Sequence, residues 1–360
     1  MSKATMMDYI REQAPLFEKI LTDRENIGKS FCEVYSKVAP DRIYLIASGT
    51  SRNAALAAAP FMEWALEKSV IVLAPSQVNK VYGNPLVIVI SQGGNSTNSL
   101  AVFDKLDGVT TIAMTGNPYG HVNKKGNVYI GIPCGDEYMG PKTKGYTITI
   151  LTLYCMAMEC AKATGSLSTD AYMECVTTLQ QAADEMEENI EAVFEWTKRN
   201  TEVLNQLKTV YLVGKKQCGQ VAAEGALKLQ ETLLIPAVGY DFEEFLHGPT
   251  SSINKNIDAF YLLPTLDDVD YERMQRLIVY HRESGGIVCT VGLQEAKNPL
   301  DCVVKTTQKW YTQPFEQILP MQIVSALIPE NIGVQGAGSQ KFQKLNAIMG
   351  IKAKNDKGIV

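Results

Sequence analysis

The amino-acid sequence predicts an α/β protein built from two copies of one unit, in which parallel strands alternate with helices. A short apolar strand, residues 42–47, leads into a polar turn and then into an alanine-rich helix. The same succession recurs after residues 210–214, which match residues 43–47 at an offset of 167 positions. Further apolar runs of strand length alternate with helical stretches, a pattern typical of a parallel sheet covered on both faces.

The first half of the chain divides into a helical lead-in and one strand-and-helix unit. Residues 6–38 have apolar positions at mixed three- and four-residue spacing, which predicts helix. An alanine-rich helix is predicted over residues 53–67, because alanine is the strongest helix former. The further strands of this unit are predicted at residues 70–73, 86–90, 110–114 and 128–132.

The second half repeats this order after a helical connection predicted over residues 154–205. Its further elements are predicted as strands at residues 259–263 and 287–291 and a helix at residues 271–283. Residues 336–360 are rich in Gly, Lys and Asn and are predicted to form an irregular tail. Any two βα units look alike to some degree, but a duplication is favoured because it also gives domains of ordinary size.

Composition and charge narrow the function classes. The chain is 46% hydrophobic and 20% charged, as expected for a soluble globular protein. Its formal net charge of −5 argues against general binding to nucleic acid or to an anionic membrane, but is compatible with a local phosphate pocket. The longest apolar runs, such as residues 85–90, are too short to cross a bilayer, and the N-terminus has no apolar signal core. We therefore expect a cytoplasmic protein with no membrane or nucleic-acid partner.

Cysteine and histidine usage gives no sign of a metal site. The eight cysteines are scattered without a C-x-x-C pair, and we expect them to be reduced thiols. The three histidines, His121, His247 and His281, are far apart in the sequence. We therefore expect no metal and no cofactor.

Two polar loops follow predicted strands of the first copy. The first polar loop is residues 48–51, Ser-Gly-Thr-Ser, and the second polar loop is residues 91–97, Ser-Gln-Gly-Gly-Asn-Ser-Thr. Open α/β sheets bind ligands at the carboxyl ends of their strands, and the N–H groups of a helix N-terminus suit an anion. Ser and Thr are also ordinary helix N-caps, but two such loops in one sheet favour a phosphate site. Neither loop is a nucleotide P-loop, since G-x-x-x-x-G-K-[ST] is absent.

A charged stripe lies on one predicted helix of the second copy. Glu224, Lys228 and Glu231 are spaced i, i+4, i+7 and therefore share a helix face. His247 follows sixteen residues later in the segment Glu-Phe-Leu-His-Gly-Pro. Two carboxylates, an ammonium and an imidazole are the groups needed to move protons next to a carbonyl. The alternative is a solvated face with an exposed ion pair of slight value. We expect His121 and His281 to be structural or surface residues.

The stripe and the histidine segment together resemble a known family. The pattern A-x-E-G-A-L-K-L-x-E at residues 222–231, followed by E-x-x-H-G-P at residues 244–249, is similar to that of double SIS-domain phosphosugar isomerases. These include the isomerase half of glucosamine-6-phosphate synthase and the fructosamine-type phosphate deglycases. The resemblance implies two tandem SIS-type domains, each a doubly wound, flavodoxin-like α-β-α sandwich with a parallel sheet. The implied segments are a helical lead-in (1–40), a phosphosugar-binding domain (41–165), a helical connector (166–205), a catalytic domain (206–335) and a tail (336–360).

The resemblance also implies which residues contact the sugar phosphate. Gly93 stands where the family has a serine, so one hydroxyl of the second polar loop is missing. The segment that ends in Thr143 and Lys144 resembles one that borders the family's pocket. The residues implied to bind phosphate or sugar are Gly49, Thr50, Ser51, Ser91, Gln92, Gly93, Ser96, Glu137 and Lys144.

The catalytic roles implied by the resemblance fall on the second copy. Glu231 matches the base that moves a proton between C1 and C2, and Lys228 and Glu224 match its supporting ion pair. His247 matches the ring-opening histidine, which in relatives reaches across a dimer interface. We therefore expect a homodimer or a higher homo-oligomer. Lys215 and Lys216 occupy the second copy's turn, where they are either surface charges or an attraction for an anionic substrate.

Two features of the synthase are not evident in this sequence. About 40 residues precede the first strand, so we expect no built-in glutaminase. The synthase also uses a tail lysine as a Schiff base; the tail lysines here, Lys352, Lys354 and Lys357, lack its terminal sequence, and that role stays open.

We therefore expect an amino-sugar-phosphate deglycase or deaminase acting on a ketosamine-type hexose 6-phosphate. Three alternatives remain. They are an aldose–ketose phosphosugar isomerase, a synthase-like aminotransferase without its own glutaminase, and a non-catalytic phosphosugar-binding regulator.

Overall fold

The computed structural model describes residues 4–353, which form two compact units. The first unit contains Pro15–Tyr138, Lys144–Thr177 and the described residues from Lys341 onward. The second unit contains the described residues up to Ala14, together with Met139–Thr143 and Thr178–Gln340. Each unit has its own five-stranded sheet.

Both sheets are wholly parallel and share one strand order. The strands are β1 (Arg42–Ile46), β2 (Ser69–Leu73), β3 (Pro85–Ile90), β4 (Thr111–Thr115) and β5 (Val128–Gly131) in the first unit, and β6 (Val210–Gly214), β7 (Ala237–Asp241), β8 (Asp258–Leu262), β9 (Val288–Leu293) and β10 (Asp301–Val303) in the second. The sheets run β2-β1-β3-β4-β5 and β7-β6-β8-β9-β10. This is a doubly wound order, in which the connections reverse direction beside β1 and β6. The predicted duplicated α/β architecture is confirmed.

Helices surround both sheets. They are α1 (Met6–Arg11), α2 (Gln13–Thr22), α3 (Arg24–Val38), α4 (Thr50–Leu66), α5 (Thr97–Val102), α6 (Lys144–Thr164), α7 (Thr169–Arg199), α8 (Thr201–Leu204), α9 (Gln217–Thr232), α10 (Phe242–Leu246), α11 (Tyr271–Glu283), α12 (Gln313–Glu316), α13 (Leu319–Asn331) and α14 (Ala337–Met349). In the first unit α4 packs on α6 and β2, and in the second α9 packs on β6, β7 and α13. Within residues 4–353, no helix combines the length and the apolar character needed to span a membrane.

The central strands are buried as a parallel sheet requires. Every residue of β3, β4 and β8 is buried, because helices cover both faces of each sheet. Their largely apolar sequences explain why all three strands were predicted. The edge strands β7 and β10 were not predicted: β7 has only Ala237 buried, and β10 has three residues.

Two helical predictions need correction. The prediction of an irregular tail is wrong for its first part, because α14 forms a 13-residue helix. Its apolar residues Phe342, Leu345 and Ile348 do recur every three positions, but they are exposed and lie near flanking glycines, which obscured the pattern. The helix predicted from residue 154 starts ten residues earlier, at Lys144, where polar residues hide its beginning.

Candidate functional site

The first polar loop has a backbone that favours glycine. Gly49, the residue that precedes α4, has φ 55° and ψ −136°, a region that other residues rarely occupy. A Cβ built on Gly49 meets no atom within 4 Å, so backbone strain rather than space restricts this position. The turn places Thr50 and Ser51 in the first turn of a 17-residue helix. Hydroxyls beside the amide groups of such a terminus suit an anion.

The residue that directly follows the second polar loop, Asn98, ties it to the first polar loop. The side-chain amide of Asn98 donates to Ser48 Oγ at 2.9 Å. Ser91 and Ser96 are buried, and Gly94 N donates to Ser91 O at 2.8 Å. The structure therefore brings the hydroxyl-bearing residues of both loops into one region of the first unit.

Gln92 connects the second loop to the segment before α6. Its Nε2 donates to Glu137 Oε2 at 3.1 Å, and the same oxygen accepts the Gly145 N–H at 3.1 Å. A Cβ built on Gly145 would lie 2.1 Å from Gln92 Nε2, so a larger residue there would displace the Gln92 amide. Lys144 and Glu137 are both buried. Glu137 thus orients the Gln92 amide and caps α6, which is a supporting position beside the loop.

The charged stripe on α9 is largely buried. The side chains of Glu224 and Lys228 are 1% and 0% exposed, whereas that of Glu231 is 36% exposed. Lys228 Nζ lies 3.4 Å from Glu224 Oε1 and also contacts Glu231 Oε2. Burial acts to lower the pKa of Lys228, but the two carboxylates raise it above its ordinary value, so the group stays an ammonium ion. The alternative of an exposed ion pair is therefore wrong for Glu224 and Lys228.

Close packing fixes α9 against its own sheet. A Cβ built on Gly225 would lie 2.7 Å from Leu212 Cδ2 of β6 and 2.7 Å from Met321 Cγ of α13. This approach holds the stripe in the interior, where removing one partner of an ion pair leaves an uncompensated charge. The arrangement can present one carboxylate, Glu231, to a substrate while a buried ammonium orients it.

His247 lies at the end of α10. It is exposed, and its backbone N–H donates to Glu243 O and Glu244 O, each at 3.3 Å. Over residues 4–353 no hydrogen bond or ion pair joins its imidazole to Glu231. The structure therefore does not bring these two predicted residues into contact.

His281 has a structural environment, as predicted. Its ring lies between Tyr261 OH, 2.9 Å from Nδ1, and Ile257 O, 3.0 Å from Nε2. Burial lowers the pKa of this fully buried imidazole, although the Ile257 carbonyl partly offsets the effect.

The turn after β6 carries an ion-pair network instead of hydroxyls. Lys215 Nζ lies 2.5 Å from carboxylate oxygens of both Asp268 and Asp270. Burial lowers the pKa of Lys215, but hydrogen bonds to the two aspartates raise it overall. Because two carboxylates neutralise Lys215, its ammonium group has little attraction for an anion. Lys216 is exposed, and its backbone N–H donates to Asp241 Oδ2 at 3.2 Å.

Two cations lie at the polar loops. Arg52 directly follows Ser51, and its Nε is buried with no hydrogen-bond partner among the described residues. It was not among the residues predicted from the sequence. Lys352 Nζ lies 3.5 Å from Ser96 Oγ. Lys354 and Lys357 lie outside the described residues. Within the described part of the chain, no three His, Cys, Asp or Glu side chains are grouped to hold a metal.

Comparison with known proteins identifies the first of the two repeated domains. Residues 38–159, which include β1–β5 and most of α6, match the family model of the SIS domain. These residues form a SIS domain. The predicted resemblance to this family is confirmed.

Similarities to other proteins extend beyond residues 38–159. The glutamine–fructose-6-phosphate aminotransferase [isomerizing] of Streptococcus pneumoniae is 27% identical over 295 residues, covering 79% of this chain and 48% of that relative. The chain thus spans about half the length of the curated relatives it matches. A Clostridium difficile structure, provisionally described as a phosphosugar isomerase, is 26% identical with a TM-score of 0.84, covering 92% of this chain and 95% of its own. The C-terminal domain of the Francisella tularensis glucosamine-fructose-6-phosphate aminotransferase shares the fold, at 19% identity and a TM-score of 0.79, covering 92% and 97% of the two chains.

Proposed function

We propose that this protein is an amino-sugar-phosphate deglycase or deaminase that acts on a ketosamine-type hexose 6-phosphate by general base catalysis. The observation that carries the proposal is the α9 stripe, in which buried Lys228 stands between buried Glu224 and partly exposed Glu231. A carboxylate oriented by an ammonium ion and open to solvent on one side is suited to removing a proton from carbon.

The first unit supplies the anion site in this proposal. The linked polar loops offer the hydroxyls of Thr50, Ser51 and Ser96 to a phosphate. A phosphate held there anchors the substrate through a part that does not react, so that positioning lowers the barrier elsewhere on the sugar.

The chemistry then proceeds on the substrate's first two carbons. His247 assists opening of the sugar ring, and Glu231 removes a proton from C1 of the ketosamine to give an enolamine. Glu231 returns a proton to C2, which leaves an aldimine at C1. Water adds to the aldimine, and its hydrolysis releases the free amine and a hexose 6-phosphate.

The names of the relatives support a nitrogen-bearing substrate. The Streptococcus pneumoniae relative is named for transferring an amino group to fructose 6-phosphate. Simple aldose–ketose isomerisation is the second candidate, because the same C1-to-C2 proton shift operates without the amine. The provisional description of the Clostridium difficile structure favours it.

Oligomer formation is a further part of the proposal. His247 is exposed and has no contact with Glu231 within the described residues, so it is available to a second copy of the chain. We propose a homodimer or a higher homo-oligomer.

A substrate screen tests the proposal. The purified protein is incubated with fructosamine 6-phosphates carrying different amines, glucosamine 6-phosphate and fructose 6-phosphate, and released amine and hexose phosphate are quantified. Amine release from a fructosamine 6-phosphate is expected. Interconversion of hexose phosphates alone would favour the isomerase. Binding of phosphosugars without turnover of any of them would leave a non-catalytic regulator, and synthesis that requires ammonia would indicate an aminotransferase.

A further inference from the structure

We propose that Lys352 is a phosphate-binding residue, whose ammonium group completes the second polar loop as the counter-charge of the substrate phosphate. The ligand's identity rests on the proposed function, but the site is argued from the first unit alone. It consists of the second polar loop and the chain that follows α14.

The backbone around Lys352 is fixed against the second polar loop. Lys352 and Ser96 form an antiparallel β-bridge. The flanking residues are hydrogen-bonded on both sides: Ala353 N to Asn95 O at 2.8 Å, and Thr97 N to Ile351 O at 3.2 Å. Thr97 Oγ1 also donates to Gly350 O at 2.8 Å. The lysine therefore has a defined register on the loop.

The end of α14 reinforces that register. Gly350 has φ 59°, which allows the chain to turn as it leaves the helix. Asn346, which is buried, accepts the Lys352 N–H through its side-chain oxygen at 2.7 Å. Two independent elements thus hold the lysine backbone, so little further backbone entropy is lost when its side chain binds a ligand.

The ammonium group stands at the hydroxyl end of the loop. Lys352 Nζ lies 3.5 Å from Ser96 Oγ, one of the hydroxyls assigned to the phosphate. The loop has Gly93 in place of a third serine, and a Cβ built on Gly93 meets no atom within 4 Å. The loop therefore lacks a hydroxyl and has open space beside it. A lysine ammonium is a strong phosphate ligand and compensates for that loss.

Binding measurements test this role without relying on turnover. Dissociation constants for inorganic phosphate and for fructose 6-phosphate are measured by calorimetry on the full chain. Lys352→Gln is expected to weaken both by about tenfold, the equivalent of one charge-assisted hydrogen bond, whereas Lys352→Arg keeps the charge and stays within about threefold of wild type. Lys344→Gln, an exposed lysine of α14, is the control with the same loss of charge and is expected to bind as wild type.

A second variant tests the compensation by the lysine. Gly93 has no positive φ and an open Cβ direction, so Gly93→Ser is compatible with the backbone. In the Lys352→Gln background, Gly93→Ser is expected to recover a severalfold part of the lost phosphate affinity. No recovery would overturn the claim that the lysine replaces the missing hydroxyl.

Other outcomes would overturn the main claim. They are equal affinities for Lys352→Gln and Lys344→Gln, or an affinity of Lys352→Arg as weak as that of Lys352→Gln. If borohydride traps fructose 6-phosphate covalently on wild type but not on Lys352→Arg, Lys352 forms a Schiff base with the sugar instead of binding the phosphate. If phosphate binding depends on Lys352 but no ketosamine phosphate is turned over, the proposed function is wrong and this site stands. If a ketosamine phosphate is turned over but phosphate binding does not depend on Lys352, this site is wrong and the proposed function stands.

Discussion

Helices α4 and α9 each follow the first strand of their unit. At equivalent positions they share one burial pattern, but the side chains are apolar in α4 and charged in α9. In α9, Glu224 and Lys228 are buried and Glu231 is partly exposed. The residues 167 positions earlier, on α4, are Ala57, Phe61 and Trp64, at 0%, 0% and 43% exposure. In the first unit Phe61 stacks on Tyr154 at 3.9 Å between ring centroids. One fold position therefore holds either an apolar contact or a buried ion pair.

The turns before these two helices also differ: the polar residues suited to an anion lie in the first unit, not in the second. Gly49 and Lys216 occupy equivalent positions and share a backbone, with φ 55° and ψ −136° in one and φ 53° and ψ −119° in the other. In the first unit the turn carries hydroxyls, and in the second Lys215 is bound to two aspartates.

The two units keep the same strand order and turn geometry but carry different side chains at equivalent positions. Apolar residues fill the α4 position, so we expect that the buried charge at the same position of α9 serves the proposed catalysis rather than folding. In the proposed function, the first unit binds the phosphate and the second carries out the proton transfer.

Loss of the Glu231 carboxylate has the largest expected effect. Glu231→Gln keeps the shape but removes the base, so kcat is expected to fall by about a thousandfold, within the usual contribution of general base catalysis. The dissociation constant for fructose 6-phosphate, measured by calorimetry, stays near that of wild type. Glu187→Gln on the exposed face of α7 is the matched control. A loss of kcat of less than tenfold would remove Glu231 from its assigned role.

Breaking the buried ion pair tests why α9 carries charge. Lys228→Met leaves Glu224 buried without its cation and is expected to lower the free energy of unfolding by about 3–5 kcal/mol in urea denaturation. The double variant Glu224→Leu/Lys228→Met copies the apolar character of α4 and is expected to recover most of that stability without activity. If the double variant is as unstable as the single one, the charges are needed for the fold and the comparison with α4 fails.

The two turns are expected to differ in phosphosugar affinity. Ser51→Ala removes one hydroxyl from the first polar loop, and the dissociation constant of fructose 6-phosphate is expected to rise about tenfold. Lys216→Gln changes the equivalent turn of the second unit and is expected to leave that constant unchanged. An equal weakening by Lys216→Gln would show that the second turn also attracts the anion.

Backbone strain gives the smallest effect. Lys216 adopts a conformation that favours glycine, so Lys216→Gly is expected to stabilise the protein by about 1 kcal/mol in thermal or urea unfolding. Lys216→Ala keeps the strain and serves as the control. Equal stabilities for the two variants would mean that the strain is small.

The sequence predicted the parts of the molecule that are governed by local pattern. The apolar runs of β3 and β8 predicted strands of the two sheets. The i, i+4, i+7 spacing on α9 predicted the shared face of Glu224, Lys228 and Glu231. Edge strand β7 was not predicted, because it buries only Ala237 and its sequence therefore lacks a clear apolar pattern.

The site needed tertiary information. The burial of Lys228 depends on the packing of α9 against β6 and α13, which no local pattern shows. Likewise, the contact of Lys352 with Ser96 joins residues 256 positions apart. The contacts of the His281 ring with Tyr261 and Ile257 could not be predicted from the sequence either, although the structural role of His281 was predicted.

The most direct test of the proposed roles of the two units measures proton abstraction from C1 of a ketosamine 6-phosphate. The substrate is deuterated at C1, incubated with protein in ordinary water, and the loss of deuterium from C1 is measured by NMR. Wild type is expected to break one C1–deuterium bond in each turnover, while Glu231→Gln binds the substrate and leaves C1 deuterated. Loss of C1 deuterium at the wild-type rate in Glu231→Gln would contradict the assignment of proton transfer to α9.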